Sequence, residues 1–356
     1  MSGAPRISFV AGSRNDGHGG NLAHRMQVFV DALLGQCDRH GLDAELVLVE
    51  WNPPADRPRL TQSVRWPASE RCAVRIVEVP GELHERFDGS LPLHQFIAKN
   101  VGIRRARGDF VLATNVDVLF PDEMMQALAE GGLKDGGWYR ADRHDVDAGI
   151  PDGAGVEEKL AFCAANRLRV HLRDGTSDLS DGTFNRIYRD PRTLRAFRLL
   201  APLGFLPGLG RRMKNARESL NFMENCGRLH TNASGDLTLM ARRHWHELRG
   251  YWEFAGFPAN IDGLLCFAAR FAGLEERMLE PPVYHIEHGQ GSGFAGYSSG
   301  DRWKQLERDG IARITPEDYM TMVHDMREGR RPLVINGEDW GLGGEDLAET
   351  SPEARS

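Results

Sequence analysis

The segment Gly108-Asp109-Phe110-Val111-Leu112-Ala113-Thr114-Asn115-Val116-Asp117-Val118-Leu119-Phe120-Pro121-Asp122-Glu123 runs from a polar turn through an uncharged apolar stretch to a polar tip and a helix start. The apolar stretch reads as a buried strand. Pro121 suits the first helical position, and Asp122 and Glu123 suit the positive end of a helix dipole. Between strand and helix stand Asn115 and Asp117, one residue apart. Ligands in an open α/β sheet sit off the carboxyl ends of the parallel strands. Two polar side chains at that tip can aim oxygens at a metal ion and a sugar phosphate.

The flanking sequence fits that placement. Arg6 to Gly12 reads as a first strand, and Ser13 to Gly20 as a polar, glycine-rich loop. Asn21 is expected to cap a helix whose apolar residues Leu22, Met26, Phe29, Val30, Leu33 and Leu34 share one face. Glu45 to Glu50 and Ala73 to Val79 read as strands stopped by prolines, and Gln95 to Ala106 as a helix. This alternation is the rhythm of a parallel, nucleotide-binding sheet. Downstream, Gly137 to Asp142 reads as a strand. Helices are expected at Arg242 to Leu248, Ile261 to Phe271 and Asp301 to Glu307, and a short strand at Val283 to His288. Residues 153–230 break the rhythm and are expected to form a helical insertion or lid. Its apolar, basic segment Leu194 to Arg212 reads as local core or as a surface for a lipid-linked acceptor. Gly289 to Gly300 reads as mobile, and the acidic end from Leu347 as frayed. The expected division is a nucleotide-binding α/β half at 1–135, a second half at 136–300 and an extension at 301–356.

Composition narrows the class. The chain has 356 residues, of which 41% are hydrophobic and 27% charged, an ordinary globular balance. A net charge of -7 argues against a general nucleic-acid surface. The five cysteines are scattered without CxxC spacing, which excludes a zinc knuckle or disulfide framework and suits a reducing compartment. Met1 to Arg6 lacks a signal pattern, and no run approaches the roughly 18 apolar residues of a membrane span. A cytoplasmic protein is expected, with at most peripheral contact at the inner face of a membrane.

Four ordered segments resemble glycosyltransferases of the GT-A type, in particular the family-2-like enzymes that use nucleotide sugars. They are the first strand with its loop to Ser13-Arg14-Asn15, Ala98 to Leu112 followed by Asn115-Val116-Asp117, Gly235 to Met240 with Arg249-Gly250-Tyr251-Trp252-Glu253 and Asp262, and His285-Ile286-Glu287-His288. The resemblance implies an α/β GT-A fold: a mostly parallel sheet flanked by helices, with an acceptor-binding half. It also implies transfer of a sugar from a nucleotide donor, with a UDP-sugar expected, to a glycan, lipid-linked or other hydroxyl acceptor.

Such transfer expels a diphosphate whose growing charge needs a cation or fixed positive groups. Similar enzymes hold Mn²⁺ or Mg²⁺ with an Asp-x-Asp turn. Here Asn115 replaces the first acid, keeping an oxygen but losing a charge. Asp117 is the expected carboxylate ligand. His285 is the favoured second ligand and His288 the alternative, since residues i and i+3 of a strand face opposite sides unless the strand turns. Asp262, at a helix start, matches the base of an inverting enzyme, and Glu253 is the alternative base. Trp252 offers a sugar-stacking face or plain core. Ser13, Arg14, Asn15, Glu50, Lys99 and Asn100 are the expected donor contacts, while Arg104, Arg105 and Arg107 read as solvated. A retaining transferase, a sugar-phosphate nucleotidyltransferase and a non-catalytic nucleotide- or sugar-binding module remain as alternatives.

Overall fold

A computed structural model describes residues 5–87, 91–187, 221–288 and 299–354, with the side chains of 299–302 left aside. Its strands are β1 (Ile7–Ser13), β2 (Ala44–Trp51), β3 (Cys72–Val79), β4 (Phe110–Ala113), β5 (Val118–Leu119), β6 (Gly137–Arg140) and β7 (Arg143–Val146). They continue with β8 (Arg167–Leu172), β9 (Gly175–Asp178), β10 (Phe184–Arg186), β11 (Thr238–Ala241), β12 (Glu275–Met278), β13 (Val283–Ile286) and β14 (Glu349–Thr350). The fold is mixed α/β. An eight-stranded sheet of order β12-β6-β11-β4-β1-β2-β3-β14 is mostly parallel, and helices flank it. Uncharged stretches such as Val111-Leu112-Ala113 lie fully buried at its centre, which is why they carry no polar alternation.

The segment 108–123 serves two sheets. β4 pairs with β1 in the large sheet, whereas β5 pairs with β13 in a six-stranded sheet of order β10-β9-β8-β7-β13-β5. Asn115-Val116-Asp117 bridges the two. Gly108 sits where the chain enters: a side chain there would lie 2.6 Å from the Ser8 backbone nitrogen. Its N–H donates to Ser8 Oγ at 2.8 Å, and that hydroxyl donates to Glu45 Oε1 at 2.6 Å. Arg75 Nη1 reaches the other Glu45 oxygen at 2.8 Å. This buried polar network ties together the amino ends of the central strands, away from the site.

Several expectations need correction. Within the described part of 153–230, the antiparallel strands β8, β9 and β10 lie in sequence between helix at Val156–Ala165 and helix at residues 221–226, so this part is helix and sheet together rather than helical throughout. The segment Leu194 to Arg212 and most of Gly289 to Gly300 lie outside the described residues. Asn21 makes no side-chain cap; it is left-handed (φ 50°), a conformation asparagine tolerates. The tail is anchored: β14 pairs with β3, and Glu349 meets Arg75 at 2.7 Å. Arg104 and Arg105 are not simply solvated. Their guanidiniums donate to backbone carbonyls of Trp340 at 2.8 Å and Gly341 at 2.8 Å, clamping the C-terminal segment across the helix Gln95–Arg105.

Candidate active site

A cleft of about 590 Å³ opens where the two sheets meet. Ser13, Asn115, Asp117, Asp262, His285 and His288 all line it, together with Arg14. Residues far apart in sequence converge because the parallel strands β1 and β4 end there, while the antiparallel strand β11 begins there. The Ile286 N–H donates to the Asp117 carbonyl at 2.9 Å, so β13 is stitched directly to the polar tip.

Asp117 is buried. Its Oδ2 accepts from Arg25 Nη1 at 2.5 Å, and His288 Nε2 lies 3.4 Å from the same oxygen. Its Oδ1 is buried without a hydrogen-bond donor and lies 3.9 Å from His285 Nε2. Burial alone would raise this carboxyl, but the positive influence of His285, His288 and Arg25 holds it well below the usual carboxylate range. One ionised oxygen and two imidazoles converge within 4.8 Å. That set suits Mn²⁺ better than Mg²⁺, which favours all-oxygen surroundings. The strand ends at Ile286, so His288 turns back toward the ring of His285, 5.2 Å away between centroids. The strand rule that set the two histidines against each other therefore does not apply across them.

Asn115 has a physical reason to be an amide. Its Nδ2 donates to Asp236 Oδ1 at 2.5 Å, and its Oδ1 accepts from Gln95 at 2.9 Å. An aspartate there would face the Asp236 carboxylate at hydrogen-bond distance, where like charges repel. Asp236 also pairs with Arg143, and although burial opposes it, Arg143 leads the charges that keep it ionised. Asp262 opens the helix Ile261–Phe271. Its Oδ2 accepts from the Gly235 N–H at 2.7 Å and its Oδ1 from the Gly263 N–H at 2.9 Å. Each oxygen keeps a further lone pair.

The other expected residues lie behind the described lining. Asn15 donates to the Pro58 carbonyl at 2.9 Å. Glu50 is paired in register with Ser13 but accepts from the Leu60 N–H at 3.0 Å, and burial raises its carboxyl to about 7. Asn100 bonds the Tyr251 backbone on both sides, its Nδ2 to the carbonyl at 2.7 Å and its Oδ1 from the N–H at 2.8 Å. The adjacent Gly250, at φ +69°, leaves room for this: a Cβ there would fall 2.2 Å from the Asn100 oxygen. Glu253 accepts from Asn100 at 3.1 Å and from the Gly341 N–H at 2.6 Å, inside the clamp that holds the C-terminal segment. Trp252 packs against the core.

Lys99 is fully buried beneath the cleft and donates to the Gly235 carbonyl at 2.6 Å. Burial lowers its ammonium to about 8, opposed by Asp236, Asp262 and Asp117. The unfolded amine keeps its proton to about 10.4. Between those values the unfolded chain binds more protons, so this residue's unfavourable contribution is full below about pH 8 and is relieved as pH rises. The unfolding free energy of the wild type, compared with Lys99→Met, is expected to gain on the variant across that window. Denaturant titrations at several pH values test this; a constant gap contradicts it.

Several participants escaped the sequence reading, Arg143 among them. Asp236 precedes an apolar strand, and only the antiparallel direction of β11 brings it to the same edge as Asn115. Arg25 stands among the apolar residues of the helix Leu22–His40 and is 1% exposed; a cation inside an apolar stripe was the available signal. Asp145, on β7, bonds His285 and had no local signature.

No protein-family model matches the chain, and no curated protein matches it. Among solved structures, the chain is similar to the catalytic domain of Drosophila beta1,4galactosyltransferase 7 in complex with xylobiose. That match has 11% identity, covers 86% of this chain and 79% of that one, and has a TM-score of 0.35. It is also similar to GalNAc-T7 with UDP, GalNAc and Mn²⁺, at 12% identity over 96% of this chain and 54% of that one, with a TM-score of 0.43. Both likenesses are distant.

Proposed function

We propose that the chain is a metal-dependent glycosyltransferase of GT-A type that uses a nucleotide sugar, with a UDP-sugar as donor and inversion at the sugar carbon. The observation that carries the proposal is the Asp117 carboxylate that follows a parallel strand and lines the cleft, with Oδ1 donorless and near His285 and with His288 close to Oδ2. Asp117, His285 and His288 would hold Mn²⁺, which when bound would neutralise charge on the departing diphosphate. Ser13 and Arg14 border the donor's side of the cleft, and Asn115, Asp236 and Arg143 supply polar groups for sugar hydroxyls. Asp262 takes the proton of the acceptor hydroxyl. The acceptor oxygen then bonds to the sugar carbon as the bond from that carbon to the phosphate oxygen breaks, and the nucleoside diphosphate leaves with the electron pair. Leu91, Leu93, Phe96, Phe257 and Pro258 form an apolar wall suited to an acceptor's non-sugar part or to sugar ring faces.

Donor hydrolysis tests the reading. UDP-sugars incubated with the protein and Mn²⁺ are expected to release free sugar and UDP, and chelation should stop the release. Nucleotide binding without any sugar release would favour a non-catalytic binding module instead.

A further inference from the structure

His285 stands between two carboxylates. Its Nδ1 lies 3.2 Å from Asp145 Oδ1, and its Nε2 lies 3.9 Å from Asp117 Oδ1. Backbone register enforces the first contact, because His285 is the partner of Asp145 in the parallel pairing of β13 with β7. Asp145 is 1% exposed and is held from its other side. Arg169 Nε and His171 Nε2 reach its Oδ2 at 2.8 and 2.9 Å, and Arg143 Nε lies 3.0 Å from its Oδ1. Arg169 is in turn the partner of Asp145 in the antiparallel pairing of β8 with β7. The small sheet thus builds a rigid cradle around one carboxylate.

Ringed by cationic donors, the Asp145 carboxylate acts as an acceptor, so Nδ1 of His285 must donate to it. The Nε2 of the neutral ring then carries a lone pair. That lone pair faces Asp117 Oδ1, another acceptor with no donor of its own. A proton on Nε2 would not repair the contact, since 3.9 Å is beyond hydrogen-bond range. A cation between the two atoms would turn a repulsive pairing into an attractive one.

We propose that Asp145 is a positioning residue that fixes His285 with its proton on Nδ1 and thereby turns Nε2 into a ligand for a divalent cation shared with Asp117. This inference rests on the metal-dependent reading above. The neighbouring group of Asp145, His285 and Glu287 is not a second cation site, because the Arg169 guanidinium already pairs with both carboxylates. Partners of this kind orient the ligating imidazole and raise its basicity, and losing one typically costs 10–100-fold in metal affinity.

The test is a Mn²⁺ titration of the full chain without donor, reading the free ion by its paramagnetic resonance signal. Asp145→Asn is expected to weaken binding by roughly 10–100-fold. His285→Ala should weaken it as well, and the double variant should be no weaker than His285→Ala alone, because the two act through one ligand. Unchanged affinity in Asp145→Asn, or losses that simply add, would overturn the positioning role while leaving the metal reading intact. A wild type that binds no Mn²⁺ would overturn both. The asparagine leaves two partly buried guanidiniums facing a neutral amide and risks unfolding, so a second measurement uses the wild type itself. In ¹⁵N histidine spectra of metal-free protein at a pH where the ring is neutral, the His285 signal, assigned by difference with His285→Gln, is expected to show protonated Nδ1 and bare Nε2. Protonated Nε2 would overturn the inference.

Discussion

Asp117→Ala is expected to lower turnover by roughly 10²–10³-fold or more, because a metal's stabilisation of leaving-group charge amounts to several kcal/mol. Donor binding should lose its dependence on Mn²⁺ in the same variant. Two separate effects will accompany the change. The first is chemical: Asp117 supplies the only carboxylate in the proposed ligand trio with His285 and His288. The second is structural: Arg25 is 1% exposed and gives up its partner at 2.5 Å, and breaking a buried pair costs about 3–5 kcal/mol. Asp117→Asn separates the two, since it keeps the shape and one oxygen but removes the charge. It should lose metal affinity almost as fully while unfolding closer to the wild type. Unchanged kinetics with Mn²⁺ present, in a variant shown to be folded, would remove Asp117 from the reaction.

Asp262→Asn is expected to leave donor binding intact and to slow transfer by roughly 10²-fold or more, within the range of general-base catalysis. The asparagine can still accept from the Gly235 and Gly263 N–H groups only through its single oxygen, so a modest loss of stability is expected too. The diagnostic readout is the split between steps, with metal-dependent donor binding preserved and acceptor-dependent turnover lost. If transfer survives, no other expected base is well placed to take over. Glu253 spends its carboxylate on Asn100 and Gly341 inside the C-terminal clamp, and burial raises its carboxyl above the usual range. Retained transfer would then favour a retaining mechanism that needs no base at this position.

The local sequence carried most of the large sheet and several residues that line the cleft. Uncharged runs such as Phe110 to Ala113 and Leu46 to Val49 can be stable only when buried, and their proline and glycine stops set their lengths, so their place as central strands followed from residue type. The polar tip at Asn115 and Asp117 was legible for the same reason: polar side chains at the end of such a run must lie at the sheet's edge. The cradle around Asp145 was not legible. Asp145 sits on a four-residue strand with no apolar alternation. Arg167 to Leu172, which carries Arg169 and His171, alternates polar and apolar residues, but that pattern marks a strand without naming its partner, and β8 exposes much of its surface. What makes them a unit is pairing register, which depends on how β13 is stitched to β5 and β7. The anchored tail belongs with them, because Glu349 looks like any exposed acid until Arg75 is found beside it. Hydrophobic pattern is a property of neighbours along the chain, and it determined where the strands run. Charge complementarity is a property of neighbours across it, and only the folded pairing of strands distant in sequence decided which carboxylate meets which imidazole.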